Sequence, residues 1–182
     1  MKAVFFDKDG TLVRDVPYNV DPDLIELNAG AAELVRDLKS ANFRLFVVSN
    51  QSGVARGMFD ESELAAVWQR LNELCAIEFD GFYFCPHHEN ARIERYKIAC
   101  DCRKPAAGML LRAAREHNID LQNSWMIGDI LNDVEAGRAA GCRTILLDNG
   151  GETEWLAGAN RTAHFTIKSL SEAAPIILQN CL

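Results

Sequence analysis

The chain has 182 residues, 48% of them hydrophobic, and 19 basic against 26 acidic side chains leave it a net charge of −7. Those figures describe one globular domain, or one domain with an elaborated insert, and argue against general nucleic-acid binding, which needs a basic stripe. No apolar stretch approaches the ~20 residues of a membrane span, while an anionic small substrate stays open, because a few local cations and a metal reverse the local field.

The N-terminus lacks a basic segment followed by an apolar run and a cleavage site, so the expectation is a cytoplasmic protein without membrane attachment. Disulfides are rare there, and clustered members of the six cysteines need another explanation.

Residues 2–6 form a short apolar run that opens onto Asp7-Lys8-Asp9-Gly10-Thr11, the pattern of a buried strand ending in a loop. Residues 12–28, with Pro17 and Pro22, read as a long connection of the kind that is usually functional. Ala31, Leu34, Val35 and Leu38 fall at i, i+3, i+4 and i+7, the stripe of an amphipathic helix. Residues 43–48 predict a second strand that ends at Ser49-Asn50-Gln51-Ser52-Gly53. Leu64, Val67, Trp68, Leu71 and Cys75 make a second helical stripe. Residues 82–84 predict a third strand before Cys85-Pro86-His87, and residues 88–99 read as loop. Leu110, Ala113, Ala114 and His117 give a third helix. Further on come a strand at 125–127 ending in Gly128-Asp129, a helix at 134–140, a strand at 143–147, an edge strand at 165–167 and a terminal helix from Leu170. Strands separated by single helices imply right-handed crossovers. The expected fold is therefore one α/β Rossmann-like domain over 1–182, a parallel sheet with helices on both faces. Ligands in such sheets sit beyond the carboxyl ends of the strands, and the polar clusters at Asp7, Ser49, Cys85 and Asp129 each follow a strand-like run.

Asp7 and Asp9 lie two residues apart, and carboxylates that close raise one another's pKa unless a cation or proton absorbs the repulsion. Taken alone, Asp-x-Asp-Gly is as readily a solvated turn. Asp7, Asp9 and Asp129 can converge across neighbouring strand ends, with Asp133 four residues further on, and hard oxygen ligands of this sort suit Mg²⁺. Gly128-Asp129 can equally be a turn that caps the next helix, and Asp133 a first-turn residue favoured by the helix dipole. Ser49 and Asn50 supply a hydroxyl and an amide able to bind a phosphoryl oxygen, or merely a polar turn. Arg103-Lys104-Pro105 places two cations before a helix that Pro105 can begin, suited to a phosphate or to solvent.

Cys85-x-His87, twelve residues, then Cys100-x-Cys102 is a complete Cys₃His set for a tetrahedral structural zinc, in pairs one residue tighter than the usual spacing. The surrounding loop, about residues 85–104, holds Glu89, Arg92, Glu94, Arg95 and Lys97 with few core formers, so a metal would organise it. His88 competes with His87 for the ligand position, whereas Cys75, Cys142 and Cys181 sit in apolar or terminal settings and read as inert.

In combination, DKDGT at 7–11, Ser49 after a strand, Lys104 and GDxxxD at 128–133 resemble the four motifs of the haloacid dehalogenase (HAD) superfamily of phosphotransferases. More narrowly, PYN at 17–19, SNQSGVARG at 49–57, CPHH at 85–88 and CDCRKP at 100–105 resemble the heptose bisphosphate phosphatases, with histidinol-phosphate phosphatases close by. The resemblance covers nearly the whole chain. It implies Asp7 as the nucleophile that becomes an aspartyl phosphate and Asp9 as the acid–base. It implies Mg²⁺ held by Asp7, the Asp9 backbone carbonyl and Asp129, with Ser49 and Lys104 on the phosphoryl oxygens. Arg103 would grip a remote phosphate, while Asp15, Val16, Pro17 and Tyr18, together with Ser49, Asn50, Gln51 and Ser52, would line the sugar site. Zn²⁺ would be structural, the loop standing in for a large cap domain, which the chain has no room for. The implied protein is a monomeric phosphatase acting on a small phosphorylated sugar, in the route to nucleotide-activated heptose. Alternatives are a histidinol-phosphate or broader sugar phosphatase and, outside enzymes, a receiver-like phosphoacceptor domain. Two residues depart from the family: Ile130 stands where Lys is frequent, and Lys8 where Arg is, the latter with little expected effect because the middle residue of Asp-x-Asp should point away from phosphorus.

Overall fold

The computed structural model describes residues 1–180, so Cys181 lies outside the described residues. Six parallel strands, β1 (Ala3–Phe6), β2 (Arg44–Asn50), β3 (Gly81–Cys85), β4 (Trp125–Gly128), β5 (Arg143–Leu147) and β6 (Phe165–Ile167), form one sheet in the order β3-β2-β1-β4-β5-β6. The helices are α1 (Ala31–Ser40), the single turn α2 (Ser52–Ala55), α3 (Leu64–Cys75), α4 (Gly108–His117), α5 (Leu131–Ala140) and α6 (Ala173–Gln179).

The strands read as continuous apolar runs because both faces are covered, and the two faces divide by residue parity. Val4, Phe6, Leu45, Val47, Ile127 and Ile145 enter one core with α1, α3 and α6. Ala3, Phe5, Phe46, Val48 and Met126 enter the other with α4 and α5. The single α/β domain with helices on both faces is as expected, and β6 is the edge strand on its side.

The first three strands add in one direction and the last three in the other, so β1 and β4 are neighbours at the point where the order reverses. Crevices form at such switch points beyond the carboxyl ends. Asp7 follows β1 and Asp129 follows β4, and the Asp7 amide donates to the Ile127 carbonyl at 2.9 Å.

Two local expectations change. Ser49 lies inside β2, not after it, because β3 continues the ladder through the Asn50–Cys85 pair. Pro105 does not begin a helix: the Lys104–Pro105 peptide is cis and α4 starts at Gly108. The long connection 12–28 is ordered by bridges Asp9–Val13 and Val13–Leu27 and a short 3₁₀ turn, Pro22–Leu24. Among the described residues, no helix is long and apolar enough to cross a membrane.

Candidate active site

Three carboxylates and a lysine meet at the switch point. Lys104, 3% exposed, hydrogen-bonds Asp7 Oδ1, donates to the Val48 carbonyl at 2.9 Å and pairs with Asp133 Oδ1 at 2.6 Å. Burial alone would lower the ammonium pKa, but Asp133 and Asp7 outweigh it and hold Lys104 charged. Asp133 is therefore the buried counter-ion of Lys104, 0% exposed, rather than only a first-turn residue of α5. The sequence assigned it no firm role; the one signal was its placement four residues after Asp129, which sets it on the inward face of the first helical turn.

Asp7, Asp129 and Asp133 are buried and offer oxygens within 4.8 Å of one another. Burial raises the Asp7 carboxyl well above its usual range, against the pull of Lys104. Burial and the Asp133 charge push Asp129 up to about 7. One ammonium does not balance these acids, and hard oxygen donors around such a deficit fit a divalent cation such as Mg²⁺. Asp129 is also tightly set: Thr11 Oγ1 donates to its Oδ1 at 3.2 Å, and Gly10, at φ +83°, leaves its Oδ2 only 2.1 Å from where a β-carbon would sit. A side chain at position 10 would strike the carboxylate and strain the turn.

A stability prediction follows from Asp129. Its folded pKa is raised, so its contribution to stability is complete below the unfolded value and is lost as pH rises through about 7. A divalent cation held there would favour the deprotonated form and reverse the loss. The Tm gain on adding Mg²⁺ is expected to be larger at about pH 8 than at about pH 5.5. An equal gain at both, read by differential scanning calorimetry, contradicts this.

Asp9 faces away from the three-carboxylate cluster. Its Oδ1 meets the Lys8 ammonium at 2.5 Å and its Oδ2 accepts from Gln51 Nε2 at 3.1 Å. Lys8 is thus buried against Asp9. Gln51 also donates to Ser49 Oγ at 2.7 Å, leaving Ser49 buried beneath it. Asn50 clamps the backbone of Lys104, accepting from its amide and donating to its carbonyl at 3.0 Å each.

The cleft has two lobes that share Asp9 and Asp15. One, about 440 Å³, lies over Asp7, Asp129, Ile130, Arg14 and Gly151. The other, about 290 Å³, lies among Pro17, Tyr18, Asn50, Gln51 and Ser52. Val16 and Ser49 do not line it, and Tyr18 holds its place with a left-handed φ of 57°. Arg103 lines neither lobe; its Nη1 donates to the His87 carbonyl at 3.4 Å and it makes no ion pair among the described residues. Asn28, with no motif to mark it, donates to the Gly10 and Thr11 carbonyls at 2.9 and 2.8 Å and holds the loop after β1.

Cys85, His87, Cys100 and Cys102 converge within 4.8 Å. The Cys102 sulfur lies 3.0 Å from Cys85, 3.3 Å from Cys100 and 3.2 Å from His87 Nδ1. A zinc tetrahedron with bonds of about 2.3 Å has sulfur–sulfur edges of about 3.8 Å, so slight expansion fits the ion. Burial pushes the Cys85 thiol up to about 11. His88 is not among these converging groups, and its Nδ1 accepts from the Asn90 amide at 3.0 Å. The loop is pinned to α2, whose Ala55 carbonyl accepts from Arg92 and Ile93 at 2.9 and 3.1 Å.

Paired strand-end aspartates over a buried lysine, on a doubly wound sheet, define a phosphoric monoester hydrolase of the HAD type. A family model described as HAD-hydrolase-like matches residues 101–173. The D-glycero-beta-D-manno-heptose-1,7-bisphosphate 7-phosphatase of Photorhabdus laumondii is 41% identical over 176 residues, 93% of this chain and 92% of that one. A HAD-like phosphatase structure from Mesorhizobium loti superposes with a TM-score of 0.84 at 32% identity, covering 98% of this chain and 85% of that one. The D,D-heptose 1,7-bisphosphate phosphatase of B. bronchiseptica, solved with magnesium and phosphate, superposes with a TM-score of 0.80 at 29% identity, covering 98% and 99%. The chain belongs to the heptose bisphosphate phosphatase family of HAD-like hydrolases.

Proposed function

We propose that this chain hydrolyses the 7-phosphate of D-glycero-β-D-manno-heptose 1,7-bisphosphate, as a Mg²⁺-dependent monomer in the cytoplasm. The observation that carries the reading is the pairing of Asp7, on buried Lys104, with Asp9, turned toward the sugar lobe, in a chain 41% identical to a phosphatase of that name. Asp7 attacks phosphorus and forms an aspartyl phosphate while the sugar oxygen leaves with a proton from Asp9. Asp9 then takes a proton from water as that water attacks the acyl phosphate, and Asp7 is regenerated with release of inorganic phosphate. Asp7, Asp129 and the Asp9 carbonyl would hold Mg²⁺, which when bound neutralises charge between nucleophile and phosphate. Lys104 and the Ser49 hydroxyl stabilise the phosphoryl oxygens, the Ser49 O–H donating while its oxygen accepts from Gln51.

The sugar rests against Asp15, Pro17, Tyr18, Gln51 and Ser52, with Val16 at the rim. Arg103 reaches the second phosphate by leaving its long contact with His87. Asn50 serves this site chiefly through Lys104, since both ends of its amide hold that backbone. The test is kcat/KM for the α and β heptose bisphosphates beside histidinol phosphate. The β anomer is expected to lead, and histidinol phosphate ahead of both would overturn the choice.

The Cys₃His cluster holds a structural Zn²⁺ in this reading. Chelation followed by restoration of Mg²⁺ is expected to raise proteolytic cleavage within 85–104 and to lower kcat/KM by about 10²-fold, through misplacement of Lys104. Full activity in a zinc-free, magnesium-loaded preparation would remove the link.

A further inference from the structure

We propose that Glu152 is a positioning residue for the magnesium carboxylates, acting from the β5–β6 connection through the N-terminus of α5. The proposal rests on the reading of Asp129 as a magnesium ligand. The residue ahead of α5 is Ile130, in extended conformation; its carbonyl accepts from the Asp133 amide at 3.1 Å, but it has no side-chain acceptor for the amides ahead of that one. Those amides are orphans in any helix. Glu152 fills the gap from 21 positions away: its Oε2 accepts from the Leu131 amide at 2.6 Å, and its Oε1 accepts from Glu154 at 2.6 Å. A carboxylate there also opposes the positive end of the helix dipole.

What this cap holds is the acid cluster itself. Asp129 lies two residues before Leu131, and Asp133, the partner of Lys104, lies two after it. The segment that delivers Glu152 is pressed on the same carboxylate. A β-carbon on Gly151 would lie 2.1 Å from Asp129 Oδ2, and Asn149 Nδ2 donates to the Gly10 carbonyl at 2.8 Å. One strap therefore touches the loop after β1, Asp129 and the first turn of α5, and Glu152 is its latch.

The test is calorimetric titration of the full chain with Mg²⁺, alongside Tm without metal. Glu152→Ala is expected to weaken Mg²⁺ binding about five-fold. Glu152→Gln, whose amide oxygen still accepts, is expected to stay within about two-fold of the parent. A lower Tm in Glu152→Ala with unchanged Mg²⁺ affinity would leave Glu152 a structural cap and overturn the proposal. Should the Ala variant not fold, Glu152→Asp, whose carboxylate is withdrawn by one methylene, is expected to bind Mg²⁺ more weakly than Glu152→Gln, and the reverse order overturns the proposal. Asp129→Asn separates the two layers: if it binds Mg²⁺ like the parent, the ligand assignment fails; if it does not, while Glu152→Ala does, only the positioning role fails.

Discussion

Asp7→Asn is expected to lower kcat by at least about 10⁴-fold while leaving the metal-free protein no less stable. The amide cannot attack phosphorus, and acid-quenched turnover of labelled substrate should show no phosphate on the protein. Stability behaves otherwise. Burial disfavours the Asp7 carboxylate, and its neighbours Asp133, Asp129 and Asp9 add to the penalty, with Lys104 alone opposing them. Removing that charge leaves Lys104 paired with Asp133 at 2.6 Å and with the Val48 carbonyl at 2.9 Å. Loss of activity with an unchanged or higher Tm is the expected signature. Activity retained in Asp7→Asn would exclude the covalent route through this residue.

Lys104→Met is expected to lose both activity and stability. Among the described residues the ammonium is the one cation touching both Asp7 and Asp133, so its removal leaves two acids buried and facing each other. Breaking such a pair costs about 3–5 kcal/mol, which for a domain of this size is a Tm drop on the order of 10 °C. The phosphoryl group would also lose its buried donor, worth about 10²–10³ in kcat. Adding Asp133→Asn to Lys104→Met is expected to recover part of the Tm and none of the kcat, because it removes the orphaned charge without restoring a cation. Strict additivity of the two changes in Tm would contradict the pairing of Asp133 with Lys104. Residual kcat in Lys104→Met near that of the parent would show that the phosphoryl oxygens rely on other groups.

Much of this molecule was legible as local pattern. Apolar runs at 2–6, 43–48, 82–84, 125–127, 143–147 and 165–167 became the six strands with boundaries moved by a residue or two. The Cys85, His87, Cys100 and Cys102 spacing became one cluster, because two tight pairs at the ends of a single loop have few other places to go. Helix starts were harder. Pro105 and Ile130 both precede helices without serving them as a good first-turn residue or cap. Asn50 is placed by sequence to bind a phosphoryl oxygen or to sit in a polar turn, and that both ends of its amide hold the Lys104 backbone, 54 residues away, has no local signal.

The sequence by itself determined the elements, the class of sheet and the chemical types gathered at its strand ends, since these follow from periodicity, propensity and short spacings that act within a dozen residues. Only the tertiary structure decided which of those groups meet. Strand order brought β1 beside β4 and so Asp7 beside Asp129; the loop before α4 carried Lys104 between Asp7 and Asp133; and a strap from beyond β5 set Glu152 on the start of α5. These contacts join residues 21 to 122 positions apart, at distances set by how layers pack and not by any repeat along the chain. A buried ion pair of this kind has no sequence period, and its partners become known only when the strands that carry them are placed side by side.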